Sequence, residues 1–175
     1  MNESTGGQIM EERKNERKEL QIRQAQPEDA AMVVAFMQKL GTYQKMRDGV
    51  TATEEGIRRL LMDGAGEAIF GDLEGKTIAF LYYYNNSSAF IGEKGLYIDG
   101  FYVDEAYREH GFGKQMMKYM ANLALQRGCK RLEWGCLDWN ESALNFYGNL
   151  GAKGVDIMTI YRLTPDKIQD LADSK

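Results

Sequence analysis

The amino-acid sequence predicts an α/β fold in which helices cover a single mixed β-sheet. Segments with helical and strand periodicity alternate along the chain in the order β-α-α-β-β-β-α-β-α-β, and a short terminal helix follows. The consecutive strands in the middle of this order favour antiparallel pairing, and the helix that follows them predicts a crossover to a parallel strand. The 175 residues suit one domain. We expect that domain over residues 20–175, after a polar tail at 1–19.

Six segments carry the residue pattern of a strand, with alternating or continuous apolar residues between turn-forming residues. They are residues 20–24, 67–73, 76–84, 96–103, 131–137 and 155–163. Glu74 and Gly75 separate the second segment from the third, which predicts a hairpin. Gly100 lies inside the fourth segment, where a glycine indicates a β-bulge or a close approach of backbone.

Five segments carry the apolar spacing and the end signals of a helix. The predicted helices begin at Pro27, Thr53, Phe112, Asn140 and Thr164. The strongest pattern covers residues 112–127, with Met116, Met120 and Leu123 on one face and Gly128 at the end.

The composition excludes several classes of function. One histidine, His110, and two cysteines, Cys129 and Cys136, are too few for a zinc site built from several such ligands. A Ser-His-Asp triad would have to use His110. The net charge of −4 argues against a general nucleic-acid-binding protein. What remains is chemistry that needs no nucleophilic or metal-binding cluster.

The segment at residues 1–19 is polar and highly charged, so we expect it to be disordered or a frayed helix. It has no apolar run of the kind that a signal peptide needs, and the chain has no stretch of roughly 18 or more apolar residues. We therefore expect a cytoplasmic protein whose two cysteines are buried and reduced.

A glycine-containing loop joins the fourth predicted strand to the long helix. From Arg108 to Lys114 it reads Arg-Glu-His-Gly-Phe-Gly-Lys. The first N–H groups of a helix lack intrahelical partners, and glycines let an anionic group approach them closely. Alone, Gly-x-Gly favours the simpler interpretation, a helix that begins after a flexible turn. The loop matches neither the phosphate loop of nucleoside triphosphatases nor the dinucleotide-binding fingerprint.

Residues 108–113 fit the Arg/Gln-x-x-Gly-x-Gly/Ala loop that binds acetyl-CoA in the GNAT superfamily of N-acetyltransferases, which this chain resembles. The resemblance follows the element order over residues 20–163. It is strongest over residues 96–152, where the segments 138–141 and 145–147 are similar to those of the diamine (spermidine/spermine) N-acetyltransferases. It implies the fold of that family, in which the central sheet is splayed between its fourth and fifth strands.

The resemblance implies that acetyl-CoA binds at the end of the fourth strand and at the start of the helix after it, without a metal. Strand backbone at Phe101 would meet the pantetheine arm, Arg108 and its loop would hold the pyrophosphate, and Tyr147 would lie beside the sulfur. The implied cofactor-binding residues are Phe101, Tyr102, Val103, Arg108, Glu109, His110, Gly111, Phe112, Gly113, Lys114, Asn140, Ala143 and Tyr147.

Two residues are candidates for proton transfer. The resemblance implies that Tyr147 protonates the leaving CoA thiolate, which a phenol with an ordinary pKa of about 10 can do only when the fold positions it. It also implies that Asp99 takes the proton of the acceptor ammonium, directly or through water. The alternatives are a core tyrosine and a surface aspartate at a strand end. Strand alternation predicts that Asp99 shares a face with Tyr97, Phe101 and Val103.

The acceptor-binding residues implied by the resemblance are Tyr43, Gln44, Asp99, Glu133, Trp134 and Gly135. Two positions depart from the diamine enzymes: Gly100 replaces the second residue of an acidic pair, and Gln44 replaces a Glu after the tyrosine. Two fewer negative charges weaken the case for a polyamine acceptor. The tyrosine run at residues 82–84 fits an acceptor site or, more commonly, a core and sheet surface.

Together these features predict direct acetyl transfer from acetyl-CoA to the primary amine of a small, polyamine-like or amino-acid-like molecule. Backbone N–H groups near Phe101 would polarise the thioester carbonyl. Two other functions stay open, namely acetyl transfer to a protein or peptide amine and acyl-CoA binding without catalysis. The resemblance also implies a homodimer, and we expect neither a nucleic-acid nor a membrane partner.

Overall fold

The computed structural model describes residues 18–155 and 159–174, and the chain divides after Gly135 into two compact units. The strands of the first unit are β1 (Gln21–Gln24), β2 (Glu67–Leu73), β3 (Lys76–Ser88), β4 (Glu93–Val103) and β5 (Arg131–Trp134). Its α-helices are α1 (Ala30–Tyr43), α2 (Glu54–Met62) and α3 (Phe112–Gln126), with short 3-10 turns at Pro27–Asp29, Arg47–Gly49 and Glu105–Tyr107. The second unit contains α4 (Glu141–Asn149) and α5 (Pro165–Asp173).

The strands form one sheet in the order β1-β2-β3-β4-β5. The pairs from β1 to β4 are antiparallel, and β4 pairs with β5 in parallel after the crossover through α3. This arrangement confirms the predicted mixed sheet, with an antiparallel start and one parallel crossover at the fifth strand.

Local signals set the ends of the helices. The Thr53 hydroxyl accepts a hydrogen bond from the Gly56 N–H at 3.1 Å, and the Asn140 side chain accepts one from the Ala143 N–H at 3.2 Å. Caps of this kind stabilise a helix by about 1 kcal/mol each. Gly128 ends α3 with a φ of +69°, a conformation that glycine adopts without strain.

The apolar stripe of α1 packs on one face of the sheet. The ring of Phe36 lies 6.0 Å from that of Phe70, 5.4 Å from that of Phe80 and 6.3 Å from that of Tyr102. Phe36 is 4% exposed, so its replacement by alanine should destabilise the fold by about 3–5 kcal/mol.

Helix α3 covers the opposite face. Met116 and Met120 of α3 are fully buried. A Cβ on Gly71 of β2 would lie 3.0 Å from the Met116 sulfur, so this glycine lets the helix approach the sheet closely. Because Gly71 follows Phe70, which faces α1, the two residues mark the two faces of the sheet.

A polar cluster joins α3 to the sheet on its own side, and we call its members Glu67, Arg127, Tyr83 and Gln24 the Glu67 cluster. The Arg127 Nη2 donates to Glu67 Oε2 at 2.7 Å, and the Tyr83 hydroxyl and the Gln24 amide donate to the same oxygen at 3.2 and 3.1 Å. The hydrogen bond from Arg127 lowers the pKa of Glu67 despite burial. Burial raises the pKa of Tyr83 to about 12.

The strand predicted at residues 155–163 is wrong. Val155 and residues 159–163 form no regular secondary structure, and residues 156–158 lie outside the described part of the chain. Ile160 and Tyr161 are 84% and 92% exposed. Alternation of apolar residues indicates a two-faced segment, whereas a strand also needs a neighbouring strand to satisfy its backbone groups.

Other boundaries shift by a few residues. β3 extends to Ser88 and β4 begins at Glu93, because the two strands pair beyond the ends predicted at residues 84 and 96. β5 ends at Trp134 rather than at residue 137. Both cysteines are free, Cys129 buried and Cys136 half-buried, so burial is as predicted only for Cys129.

Of the predicted tail at residues 1–19, only Lys18 and Glu19 belong to the described part of the chain. Residues 1–17 lie outside it, and the ammonium of Lys18 forms an ion pair with Glu74 at 2.6 Å. A single domain over residues 20–175 stays a prediction. Within the described part of the chain, no helix has both the length and the apolar character that crossing a membrane requires.

Candidate active site

A β-bulge in β4 sets Asp99 and Gly100 apart from the rest of the strand. Consecutive residues of β3 pair with Ile98 and with Gly100, so Asp99 is the extra residue of the bulge. A Cβ on Gly100 would lie 2.9 Å from the Met37 sulfur of α1. The glycine therefore allows α1 to lie against the strand at this point, and the irregularity predicted from Gly100 is confirmed.

β4 and β5 are paired over only part of β4. Their ladder ends with Ile98 opposite Trp134, whereas β4 continues to Val103. The parallel pairing therefore stops next to the bulge, where the resemblance expects the two strands to be splayed.

Asp99 is exposed and lies beside three tyrosines of β3 and β4, namely Tyr82, Tyr84 and Tyr97. Burial raises the pKa of each of these tyrosines, and the negative charge of Asp99 raises it further. The rings of Tyr84 and Tyr97 stack with their centroids 5.3 Å apart and their planes at 26°. We call Asp99, Tyr82, Tyr84 and Tyr97 the Asp99 cluster.

The prediction that Asp99 shares a face with Phe101 and Val103 is wrong. Phe101 pairs with Leu81 and Val103 with Ala79, which lie on the α3 side of β3. The extra residue in the bulge shifts the alternation by one position, so the cluster lies on the α1 side with Tyr97.

The loop before α3 contains two residues with positive φ, Glu109 at +66° and Gly111 at +84°. Gly111 occupies the N-cap position, and no side chain of the described residues caps the helix there. The N–H groups of Phe112, Gly113 and Lys114 consequently lack intrahelical partners. These donors and the positive end of the helix dipole fit an anionic group such as the pyrophosphate of acetyl-CoA.

The Arg108 side chain is held by the protein itself. Its Nε donates to the Val103 carbonyl at 3.0 Å, and its guanidinium lies 4.3 Å from the ring centre of Tyr43 and 5.2 Å from that of Tyr102. Arg108 thus organises the end of β4, and its contact with pyrophosphate stays a prediction. Next to it, the Nδ1 of the exposed His110 lies 2.6 Å from the Arg108 carbonyl oxygen.

The predicted acceptor residues of β5 lie near the Asp99 cluster. Glu133 is the register partner of Tyr97 and accepts a hydrogen bond from the Asn86 amide at 3.2 Å. A Cβ on Gly135 would lie 3.4 Å from the Tyr97 hydroxyl. The half-buried Trp134 ends the ladder between them.

The other two predicted acceptor residues, Tyr43 and Gln44, lie at the end of α1, where the Gln44 N–H donates to the Leu40 carbonyl at 2.8 Å. A groove of about 690 Å³ runs along this part of α1. Its lining includes Lys39, Tyr43, Lys45, Arg47, Tyr102 and Glu105. With three cations and one carboxylate, this lining carries a net positive charge, whereas the Asp99 cluster carries a negative charge.

In the second unit, α4 carries the remaining predicted residues. Asn140 caps this helix through the Ala143 N–H. Tyr147 is half-buried, its ring lies 5.3 Å from that of Phe146, and its carbonyl accepts a hydrogen bond from the Ala152 N–H at 3.1 Å. The roles of these residues stay predictions.

The tyrosine run at residues 82–84, which fits either an acceptor site or the core by sequence, is divided between the two faces of the sheet. Tyr83 joins the Glu67 cluster, whereas Tyr82 and Tyr84 join the Asp99 cluster. Antiparallel pairing with a bulge before Gly100 is the signal that could have placed Tyr84 opposite Tyr97.

Comparisons with known proteins agree with this architecture. The model of the acetyltransferase (GNAT) family matches residues 31–152. Thialysine N-epsilon-acetyltransferase of Bos taurus is 32% identical over 145 residues, in a match that covers 75% of this chain and 83% of that protein. L-ornithine N5-acetyltransferase of Arabidopsis thaliana is 37% identical over 90 residues, 51% of this chain and 40% of that protein.

A solved structure shares the fold. An aminoglycoside acetyltransferase from an uncultured soil metagenomic sample superposes with a TM-score of 0.72 over 83% of this chain and 97% of that chain, at 18% sequence identity.

Proposed function

Because the chain belongs to the acetyltransferase (GNAT) family and is an N-acetyltransferase, we propose that it transfers the acetyl group of acetyl-CoA directly to the primary amine of a small molecule. Its relatives are named for thialysine and L-ornithine, both small amines. The observation that carries the proposal is the family match over residues 31–152, which contain the bulged β4, the glycine loop and α3.

Enzymes of this family use acetyl-CoA, which supplies the acetyl group as a reactive thioester. In this chain, the first N–H groups of α3 and the ammonium of Lys114 suit the pyrophosphate. The end of β4, at residues 101–103, offers its backbone to the pantetheine arm where the ladder with β5 has ended. Backbone N–H groups near Phe101 polarise the thioester carbonyl.

Asp99 prepares the acceptor. A primary amine arrives as its ammonium ion and must lose a proton before its nitrogen can attack a carbonyl carbon. Among residues 18–155 and 159–174, no cation forms an ion pair with Asp99, so its carboxylate is free to take that proton. The short side chain at an exposed bulge suits proton transfer through a water molecule as well as direct transfer.

For Tyr147 of α4 we retain the role that the resemblance implies, protonation of the leaving thiolate. Its ring lies 5.3 Å from that of Phe146, and both residues are half-buried on α4. A positioned phenol can donate the proton that a leaving thiolate needs.

The test is an acceptor screen with polyamines, amino acids and peptides, followed by release of free thiol from acetyl-CoA. We expect turnover with at least one small amine. Tyr147→Phe should lower kcat by about 100-fold or more while CoA binding is retained. Tyr119→Phe, at a half-buried tyrosine of α3, serves as the matched control and should change kcat little.

Bound CoA without thiol release for any amine would contradict the proposal and support an acyl-CoA-binding module. Release with peptides alone would support the protein-directed alternative instead.

We also propose that the enzyme is a homodimer, which the resemblance implies, and that it is cytoplasmic, as expected from the sequence. Sedimentation equilibrium at micromolar protein should give twice the chain mass, and a monomer mass there would contradict the proposal.

A further inference from the structure

The hydroxyl of Tyr82 has no hydrogen-bond partner in the described part of the chain, although the residue is only 8% exposed. Its ring belongs to the core beneath α1, together with Phe36 and Leu40. The next residue differs, because the Tyr83 hydroxyl donates to Glu67 at 3.2 Å. A buried hydroxyl without a partner in the protein is expected to bind water or a ligand, since its desolvation would otherwise be uncompensated.

Gly66, between α2 and β2, gives this hydroxyl its place. A Cβ on Gly66 would lie 1.7 Å from the Tyr82 hydroxyl oxygen and 2.4 Å from the ring carbon that carries it. The Gly66 N–H is already used, since it donates to the Leu60 carbonyl at 3.2 Å. The hydroxyl therefore lies against a backbone position that offers it space and no hydrogen bond.

Water can reach the Tyr82 hydroxyl. Among the described residues that are at least half-buried, Asn86 Oδ1 is the one side-chain N or O atom that is both fully enclosed and without a hydrogen-bond partner. The Tyr82 hydroxyl also lacks a partner, so it must retain contact with solvent. A partner from outside the fold can thus bind at the end of a side chain that the core holds in place.

Tyr82 lies next to the bulge that carries Asp99. In the register of β3 and β4, Tyr82 pairs with Gly100, the residue after Asp99. Burial raises the pKa of Tyr82 and the charge of Asp99 raises it further, so the phenol keeps its proton at neutral pH. Within the described residues the two side chains form no direct hydrogen bond. Their oxygens are therefore farther apart than one hydrogen bond spans, as they must be if a water molecule lies between them.

We propose that the Tyr82 hydroxyl binds the water molecule through which Asp99 takes the proton of the acceptor ammonium. This inference rests on the proposed function. One N–H bond of the ammonium breaks and its proton goes to the water oxygen, while the water gives one of its own protons to the Asp99 carboxylate. The Tyr82 hydroxyl donates a hydrogen bond to the second lone pair of the same oxygen and keeps its own proton. Tyr82 is thus a positioning residue that fixes the water relative to Asp99.

The first test compares Tyr82→Phe with the wild type by thiol release between pH 7 and about pH 10, using the best amine from the acceptor screen. At pH 7 the kcat of Tyr82→Phe should be about ten- to hundred-fold lower, with little change in KM. A primary ammonium with an ordinary pKa of about 10 loses its proton to solvent at high pH. The deficit should therefore shrink as the pH rises, whereas a merely structural loss would be equal at every pH.

A matched control separates the Tyr82 hydroxyl from tyrosine hydroxyls in general. Tyr119→Phe, at a half-buried tyrosine of α3, should keep the wild-type kcat and the wild-type pH profile. A pH-dependent deficit of equal size in Tyr119→Phe would overturn the assignment to Tyr82.

A second measurement does not depend on turnover. Tyr82→Phe removes no hydrogen bond between protein groups, so the urea midpoint of unfolding should stay at the wild-type value. Tyr83→Phe should lower that midpoint, because it removes the hydrogen bond to Glu67. Equal losses in the two variants would show that the Tyr82 hydroxyl has a partner within the protein, which would overturn the inference.

The outcomes distinguish the inference from the proposed function. A Tyr82→Phe enzyme with the wild-type kcat, or with a deficit that does not change with pH, would overturn the inference and leave the proposed function intact. Absence of thiol release by the wild type with every amine would contradict the proposed function and the inference with it.

Discussion

β3 presents tyrosines to both faces of the sheet, and each face pairs them with a carboxylate in a different way. On the α3 side, Tyr83 donates to Glu67, whose charge is balanced by Arg127 at 2.7 Å. On the α1 side, Tyr84 lies beside Asp99, and no ion pair to Asp99 is formed within the described residues. The Glu67 cluster is therefore closed, whereas the Asp99 cluster is open to a cation from outside.

The proposed role of Asp99 depends on this difference, because no cation of the described residues balances its charge. A carboxylate with a bidentate arginine has its charge and lone pairs satisfied by the fold, so it contributes stability. A carboxylate beside neutral phenols keeps its negative charge available for an ammonium ion. Both clusters combine a carboxylate with tyrosine, and only the Glu67 cluster contains an arginine that balances the carboxylate.

The largest expected effect comes from neutralising the open carboxylate. Asp99→Asn should lower kcat/KM by about 100-fold or more because the acceptor loses its proton acceptor. Since Asp99 is exposed, the free energy of unfolding should change by less than about 0.5 kcal/mol. Steady-state thiol release and urea unfolding measure the two quantities. An Asp99→Asn enzyme with wild-type kcat/KM would contradict the proposed role of Asp99 as proton acceptor.

Neutralising Glu67, whose charge Arg127 balances, should lower stability and leave activity nearly unchanged. Glu67→Gln should lower the free energy of unfolding by about 2–3 kcal/mol, because Arg127 loses its partner in a partly buried setting. The kcat/KM of the folded enzyme should stay within about two-fold of wild type.

The same pair predicts a pH dependence. Arg127 lowers the pKa of Glu67 in the folded state below its ordinary value of 4.5. This contribution to stability is therefore complete above that ordinary value and is lost as the pH falls through the lowered pKa. Urea unfolding at neutral and at acid pH should show the Glu67→Gln deficit shrinking in acid. A deficit of equal size at both pH values would contradict the assignment.

The smallest expected effect is a difference in stability between variants of two neighbouring tyrosines on opposite faces of β3. Tyr83→Phe removes a hydrogen bond to Glu67 that measures 3.2 Å and should cost about 1 kcal/mol of stability. Tyr84→Phe keeps the stacked ring and should cost less than about 0.5 kcal/mol. Differential scanning calorimetry of the two variants provides the comparison, and equal losses would show that the two faces do not differ in this way.

Local signals in the sequence are sufficient to predict most of the helices and strands. Thr53 and Asn140 cap their helices as predicted, and Gly100 marks an irregularity that proves to be the bulge. Each of these features depends on a few neighbouring residues and on one physical cause, such as an unsatisfied N–H group or a missing Cβ.

Features that depend on strand register or on distant contacts cannot be predicted from local sequence signals. The face of Asp99 depends on the extra residue in β4, which reverses the alternation for Phe101 and Val103. The segment at 155–163 has the alternation of a strand, but a strand also needs a partner that local pattern does not supply. The balancing of Glu67 by Arg127, 60 residues apart, likewise follows from packing alone.

A crystal structure of the enzyme with CoA and the best acceptor from the screen tests the central claim most directly. The account predicts that the acceptor amine lies within about 3 Å of an Asp99 oxygen, or reaches it through one water molecule. An acceptor whose amine lies away from Asp99, in the groove beside Lys39 and Arg47, would contradict it.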